Sequence, residues 1–262
     1  MSETDIDRVN QAAYSSKSAL KLYDRSDIGL SEAEGRILNE LLPEIKNKKL
    51  LDIGFGGGRT TSFLLDISRD YTGIDYSALL AERAKARFGI ETLYHCDARD
   101  LSRFGDNTFD FALFSFNGLD SISHADRLLA LAEIYRVLKP GGIFLFSGHN
   151  RKCRYIGAPP WRGRRWQWTF AFLKGCAWAV LLQPRHWRMR PLEVHEKEYA
   201  ILNDSGLRYQ CLLYYISIPA QLKQLGEIGF ERTRIYDMHG CPAREDDTDS
   251  VFIHYLARKP LR

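Results

Sequence analysis

Residues 151–190 contain no aspartate or glutamate, yet they carry ten basic side chains and all five tryptophans of the chain. The net charge of +4 therefore divides into +10 inside that window and −6 outside it. No other stretch departs so far from its surroundings, and a block of one charge sign marks a segment that meets something rather than a folded core. Cysteine is sparse and scattered: Cys96, Cys153, Cys176, Cys211 and Cys241 form no C-x-x-C pair and are odd in number. This argues against a disulfide framework and for reduced thiols, and no metal site is expected. Long apolar runs are missing as well. The longest, 166–182, is interrupted by Lys174 and falls short of the ~20 residues a membrane-spanning helix requires, so a buried or interfacial helix is expected there. Met1 to Asn10 is polar and acidic, unlike a secretory leader. Together these absences point to a cytoplasmic protein, at most peripheral to the inner membrane surface.

What is present is an ordinary globular balance. The 262 residues are 45% hydrophobic and 27% charged, enough for one α/β domain with an elaboration. The spacing predicts a helix from Ile6 to Tyr23 and a second from Ser31 to Leu42, where Ser31 and Glu34 stand in capping-box position. An alternation of strands and helices follows. Strands are expected at Lys49–Ile53, Tyr71–Ile74, Glu91–His95, Phe109–Phe114 and Ile143–Phe146, with helices at Gly58–Leu65, Ala78–Arg87 and Ala125–Leu138. Such a rhythm implies a parallel sheet covered by helices on both faces, with right-handed crossovers. After His149 the rhythm breaks into an insertion of about fifty residues. A hairpin is then expected from Val194–Leu202 and Leu207–Tyr215, turning through Asn203-Asp204-Ser205-Gly206. A helix near Pro219–Glu227 and strands at Phe230–Tyr236 and Val251–Ala257 end the chain.

The most informative stretch is Leu50-Leu51-Asp52-Ile53-Gly54-Phe55-Gly56-Gly57-Gly58-Arg59. An apolar strand runs into a glycine-rich turn that opens a helix, so ligand atoms can approach the backbone and unpaired N–H groups can meet a negative charge. The G-x-G-x-x-G spacing of dinucleotide folds is not met, because Arg59 stands where its third glycine should be. Asp52 lies two residues before the first glycine, where a carboxylate can accept from an ammonium group. Asp75 directly follows the second expected strand.

Asp52-x-Gly54-x-Gly56-x-Gly58 resembles the first motif of the class I S-adenosylmethionine-dependent methyltransferases at every defined position. Gly73-Ile74-Asp75-Tyr76-Ser77, Cys96-Asp97-Ala98 and Arg136-Val137-Leu138-Lys139-Pro140-Gly141-Gly142 resemble later segments of the same family, in order. The resemblance covers Lys49 to about Asn150. It implies a Rossmann-like sheet of seven mostly parallel strands, the last antiparallel, with an N-terminal helical lid and an insertion after strand five. In such a single domain (1–262) the lid would span 6–42, the cofactor core 49–150, the substrate-side insertion 151–217 and the closing helix and strands 218–262. S-adenosylmethionine is the cofactor it implies, with Asp52, Gly54, Phe55, Gly56 and Gly58 around the methionine part, Asp75 and Tyr76 at the ribose, Asp97 and Ala98 at the adenine, Ser115 at the fourth-strand end and Tyr14 and Tyr23 in the lid.

The acceptor should lie at the carboxyl ends of strands four and five. Those ends read Ser115-Phe116-Asn117-Gly118 and Ser147-Gly148-His149-Asn150. The N-P-P-[YF] tetrapeptide of amide- and adenine-nitrogen enzymes is missing. His149 is the general-base candidate, since imidazole titrates near neutrality; the alternative is that it only holds a turn. Asn117, Asn150, Arg154, Trp161 and Arg165 are candidate acceptor contacts. The cation- and tryptophan-rich insertion suits an anionic or amphiphilic small molecule or an anionic membrane surface. Nucleic acid is disfavoured but not excluded, and a non-catalytic binding module on the same scaffold is the reading from another class. Neither the acceptor nor the oligomeric state is legible.

Overall fold

The computed structural model describes residues 3–16, 19, 21, 23, 24, 28–156, 181–204 and 206–262. Its helices are α1 (Glu3–Tyr14), α2 (Glu32–Ile45), α3 (Thr61–Ile67), α4 (Ala78–Phe88), α5 (His124–Val137) and α6 (Ile218–Ile228), and residues 181–189 are helical as well. The strands are β1 (Leu50–Ile53), β2 (Tyr71–Asp75), β3 (Leu93–His95), β4 (Phe109–Phe114), β5 (Leu138–Asn150), β6 (Val194–His195), β7 (Tyr199–Leu202), β8 (Leu213–Ile216), β9 (Glu231–Tyr236) and β10 (Phe252–Arg258).

β1 pairs in parallel with β2 and β4, β2 with β3, and β4 with β5. β10 runs antiparallel between β5 and β9, giving a seven-strand core in the order β3-β2-β1-β4-β5-β10-β9. Every residue of β1 and β2 is buried, as parallel strands covered on both faces must be. Alternation along the strands divides the core in two. Leu51, Ile53, Ala112, Phe144 and Phe146 face α5 and α6, whereas Leu50, Phe111, Ile143 and Leu145 face α2, α3 and α4.

Two local expectations need correction. The helix expected to Tyr23 is interrupted: it ends at Tyr14 and the chain turns at Ser15–Ser16, while residues 19, 21 and 23 are again helical. The hairpin after the insertion is a three-strand ribbon, β6-β7-β8, added in parallel to the end of β5 through His149↔Tyr215 and Asn150↔Ile216. Leu207, Arg208 and Tyr209 all have positive φ, so the chain curls before the returning strand can start at Leu213. The sheet thus has ten strands, seven of them the expected core.

α1 lies across the carboxyl end of this sheet. Asn10, buried, donates to the carbonyls of Ser121 (2.6 Å) and Leu212 (2.8 Å) and accepts from Leu212 N (2.8 Å). Ile6 packs with Leu212, Tyr214 and Ile216, and Ala13 with Cys211, Leu213 and Tyr215. α1 is therefore fastened to the ribbon as well as to the core.

Candidate functional site

A cavity opens at the carboxyl ends of β1, β2 and β4 under α1. Its described wall includes Asp7, Asn10, Gln11, Tyr14, Tyr23, Gly54, Phe55, Gly56, Arg59, Asp75, Tyr76, Asp97, Ala98, Arg99, Ser115 and Phe116. Ten residues singled out above meet there: Tyr14, Tyr23, Gly54, Phe55, Gly56, Asp75, Tyr76, Asp97, Ala98 and Ser115.

The loop after β1 is held open from both sides. Gly54 and Gly56 have φ of +68° and +57°, and a Cβ on Gly54 would come to 3.1 Å from the Phe114 ring. Gly57 N donates to the Tyr23 carbonyl at 2.7 Å, tying the loop to the lid segment. Asp75 accepts at one oxygen from Gly56 N and at the other from Ser77 N, both at 2.8 Å. Two in-plane lone-pair directions remain on the carboxylate. Burial raises its pKa, against those two backbone donors. Tyr76 carries a buried hydroxyl with no partner on the same wall. Tyr14 packs against Tyr23 and Tyr76 at centroid distances of 5.6 and 6.2 Å.

Three loop expectations change. Asp52 is fully buried and does not reach the wall, because alternation turns it to the face of Leu50. There its Oδ2 accepts from Thr60 Oγ1 (2.6 Å) and Tyr71 Oη (2.9 Å), and its Oδ1 has no partner. Gly58 is also off the wall. A Cβ there would lie 2.2 Å from the Phe88 ring, so this glycine serves the packing of α4 on the loop. Asp97 reaches the wall with both oxygens accepting from Arg99 (Nη2 at 2.7 Å), and Arg99 also pairs with Asp7 of α1 and Asp126 of α5. Any amine that Asp97 reads is shared with a guanidinium.

Burial pushes the Asp52 carboxyl up to about 7, against its two hydroxyl donors. Between pH ~4 and 7 the unfolded chain releases a proton that the folded chain keeps, so this residue makes the protein less stable as pH rises through that window. A shift of about three units corresponds to about 4 kcal/mol from one limit to the other. Asp52→Asn should therefore gain in melting temperature relative to the wild type as pH goes from 4 to 8. A difference that stays constant with pH would show that Asp52 titrates like an exposed carboxyl.

Arg59, noted in the sequence only for its misplacement, proves to be the keystone of the loop. Its guanidinium donates to Glu34 at both oxygens (2.6 and 2.7 Å), to the Gly29 carbonyl (2.9 Å) and to Ser115 Oγ. Ser115 in turn donates to Glu34 at 2.7 Å. Burial opposes the charge on Glu34, yet the Arg59 pairing holds it down at about 2. One carboxylate thus caps α2, fixes the loop arginine and fixes the end of β4. The capping box was legible, but its second duty, 25 residues along the chain, was not.

The acceptor candidates do not assemble on this wall. His149 is buried at the end of β5, its ring against Tyr215 and Phe252 at 4.6 and 5.1 Å, and its Nδ1 and backbone N both meet Asp120 Oδ2 at 2.7 Å. Asp120 also pairs with Arg127 (2.7 Å), and neither of these two side chains is exposed at all. Asn150 spends its amide on the carbonyls of Asp247 and Ser250. Asn117, at φ 57°, is anchored through its N to Ser147 Oγ (2.9 Å), and its buried Oδ1 has no partner. Arg154 pairs with Asp249 on the surface. Trp161 and Arg165 lie outside the described residues. Phe116, which sequence reasoning passed over, projects from the cavity wall 62% exposed in a left-handed conformation, with the Arg59 guanidinium 5.2 Å from its ring centroid.

Comparison with known proteins bears on the core of the chain and on its fold. The family model described as a methyltransferase domain matches residues 51–146. An uncharacterised methyltransferase of Synechocystis sp. is 31% identical over 134 residues, which is 51% of this chain and 62% of the relative. A demethylmenaquinone methyltransferase of Staphylococcus aureus is 39% identical over 104 residues, 37% of this chain and 42% of the relative. The chain thus spans less than two thirds of the length of either curated relative. Among solved structures, an S-adenosylmethionine-dependent methyltransferase from Mesorhizobium loti aligns with a TM-score of 0.57 at 21% identity, covering 87% of this chain and 98% of that one. The 1,6-didemethyltoxoflavin-N1-methyltransferase of Burkholderia thailandensis, with bound 1,6-didemethyltoxoflavin and S-adenosylhomocysteine, gives 0.53 at 15% identity, covering 87% and 78%. At these identities the likeness to the solved structures is one of fold.

Proposed function

We propose that this chain, whose residues 51–146 match a methyltransferase domain, is a class I S-adenosylmethionine-dependent methyltransferase that moves a methyl group from that cofactor to a small amphiphilic acceptor. The observation that carries this reading is Asp75: a buried carboxylate on the cavity wall, oriented by Gly56 N and Ser77 N, with lone pairs left for a diol. The residues present fit the cofactor. The open backbone at Gly54 and Gly56 gives room for its methionine part, Asp75 takes the ribose, and Tyr76, whose buried hydroxyl has no partner, lies beside them. When bound, the cofactor supplies a methyl group activated on a sulfonium. The chain's own work is to bind, align and exclude water, with Tyr14 and Tyr23 of the lid segment covering the site.

Two features define the acceptor. The wall beyond the loop is largely apolar and aromatic, with Ile28, Phe114, Phe116 and Ile122. Its two described cations, Arg59 and Arg99, are both paired with carboxylates. The nucleophilic atom of the acceptor therefore sits on an apolar or aromatic frame that this wall accommodates. His149 is spoken for by Asp120 and stands off the described wall, so this reading rests on alignment rather than on an imidazole base.

Calorimetric titration with S-adenosylmethionine and S-adenosylhomocysteine tests the cofactor, and transfer of a labelled methyl group into fractionated small molecules tests the activity. Saturable binding of both, with label appearing in an organic-extractable product, is expected. Absence of binding would sink the proposal. Binding without transfer to any fraction would leave a cofactor-binding module.

A further inference from the structure

No helix among the described residues is long and apolar enough to cross a membrane, but one carries apolar side chains on its outside. Residues 181–189 are helical, and the split of their two faces is inverted. On the inner face, at i, i+4 and i+7, Leu182 and His186 are partly buried and Met189 packs on the cluster of Ile6, Leu212, Tyr214 and Ile216. His186 is tied further, Nδ1 to Asn203 Oδ1 at 3.0 Å and its ring 5.0 Å from that of Tyr209. From the other face only Arg185 reaches back, donating to the Arg208 carbonyl at 3.2 Å. That face presents Leu181 at 70% exposure and Trp187 at 66%, flanked by exposed Arg185, Arg188 and Arg190. Among the described residues none of these three arginines pairs with a carboxylate, and the surrounding 151–190 window contains none in its sequence.

We infer that this face is a docking surface for an anionic lipid bilayer. The chemistry selects that partner over other anions. Arginine meets lipid phosphates, tryptophan settles at the headgroup level, and an exposed leucine gains only where apolar depth is available. A nucleic acid would use the arginines and the indole but offers nothing to Leu181. The inner face of the helix and the lid share one apolar cluster, since Ile6 and Val9 of α1 belong to it together with Met189, Leu192 and Val194. Docking places the lid of the cavity close to the bilayer, where an amphiphilic acceptor would be found. This inference extends the methyl-transfer reading and is tested apart from it.

Co-sedimentation of the full chain with phosphatidylcholine vesicles, and with vesicles carrying about a third phosphatidylglycerol, is the experiment, with cofactor titration run in parallel. All five tryptophans lie within 151–190, so tryptophan emission, excited beyond the tyrosine band, reports on this segment. Binding to the anionic vesicles only, with a blue shift and loss at high salt, is expected. Arg185→Gln/Arg188→Gln/Arg190→Gln should weaken it on the order of a hundredfold, since each surface cation contributes about fivefold. Leu181→Ser/Trp187→Ser should weaken it as well, and both variants should keep the wild-type cofactor affinity. No binding, equal binding to neutral vesicles, or binding unchanged in both variants would overturn the inference. So would tighter binding to duplex or single-stranded nucleic acid than to the vesicles. Loss of cofactor binding in the wild type would strike the enzymatic reading and leave this one standing.

Discussion

Asp75→Ala is expected to weaken S-adenosylmethionine binding by about a hundredfold or more while the protein remains folded. The carboxylate is buried, and both of its oxygens are fixed by backbone donors, so it is already aimed when the ligand arrives. A hydrogen bond to a charged group contributes about 1.5–3 kcal/mol, and a diol supplies two. The substitution also leaves Gly56 N and Ser77 N without an acceptor, so affinity alone does not isolate the ribose contact. A cofactor analogue lacking one ribose hydroxyl separates the two effects. In the wild type the missing hydroxyl should cost about tenfold, and in Asp75→Ala it should cost little. If the analogue is penalised equally in both proteins, the ribose partner is some other group.

Asp120→Ala should lower the melting temperature by on the order of 10 °C. Arg127 and Asp120 are wholly buried and paired at 2.7 Å. The arginine also donates to the Leu119 carbonyl (2.9 Å) and to Gln221 (2.6 Å), and its guanidinium lies 4.6 Å from the Tyr214 ring centroid. Removing one partner of a buried pair leaves an uncompensated charge and costs about 3–5 kcal/mol, and each kcal/mol is about 2–4 °C in a chain of this size. Asp120→Ala/Arg127→Met removes both charges and should recover a substantial part of the loss. If the double variant is instead as unstable as the sum of the single ones, the pair is not the unit that holds this part of the core.

The contrast between these two sites explains what could be read in advance. Asp75 was legible because an apolar run ends there and the next helix begins, so its place follows from periodicity and chain direction. The core strands and the capping box of Ser31 with Glu34 were legible for the same reason. Arg127 was not, because an arginine in an amphipathic helix reads as a solvent-facing charge. Only the side chains of Asp120, Gln221 and Gln224, the glutamines more than ninety residues along the chain, make it an interior residue. Asp52 failed in a subtler way. Its position at the strand end was right, but alternation within four residues decides which face it occupies, and that face belongs to α3. The ribbon after the insertion was misplaced because three successive left-handed residues at 207–209 carry no glycine to announce them.

The attachment of α1 has a consequence for how the protein is made. Residues 3–14 are translated before the strands they pack on, and Asn10 finds its acceptor and donor at Leu212, 202 positions later. Ile6 and Ala13 likewise wait for strands at 211–216. During synthesis the core from β1 to β5 can assemble with its cavity uncovered, while α1 waits for the ribbon before it can dock. A nascent chain that ends after β5 would thus expose the cavity, and completion of the ribbon is the event that lets α1 cover it.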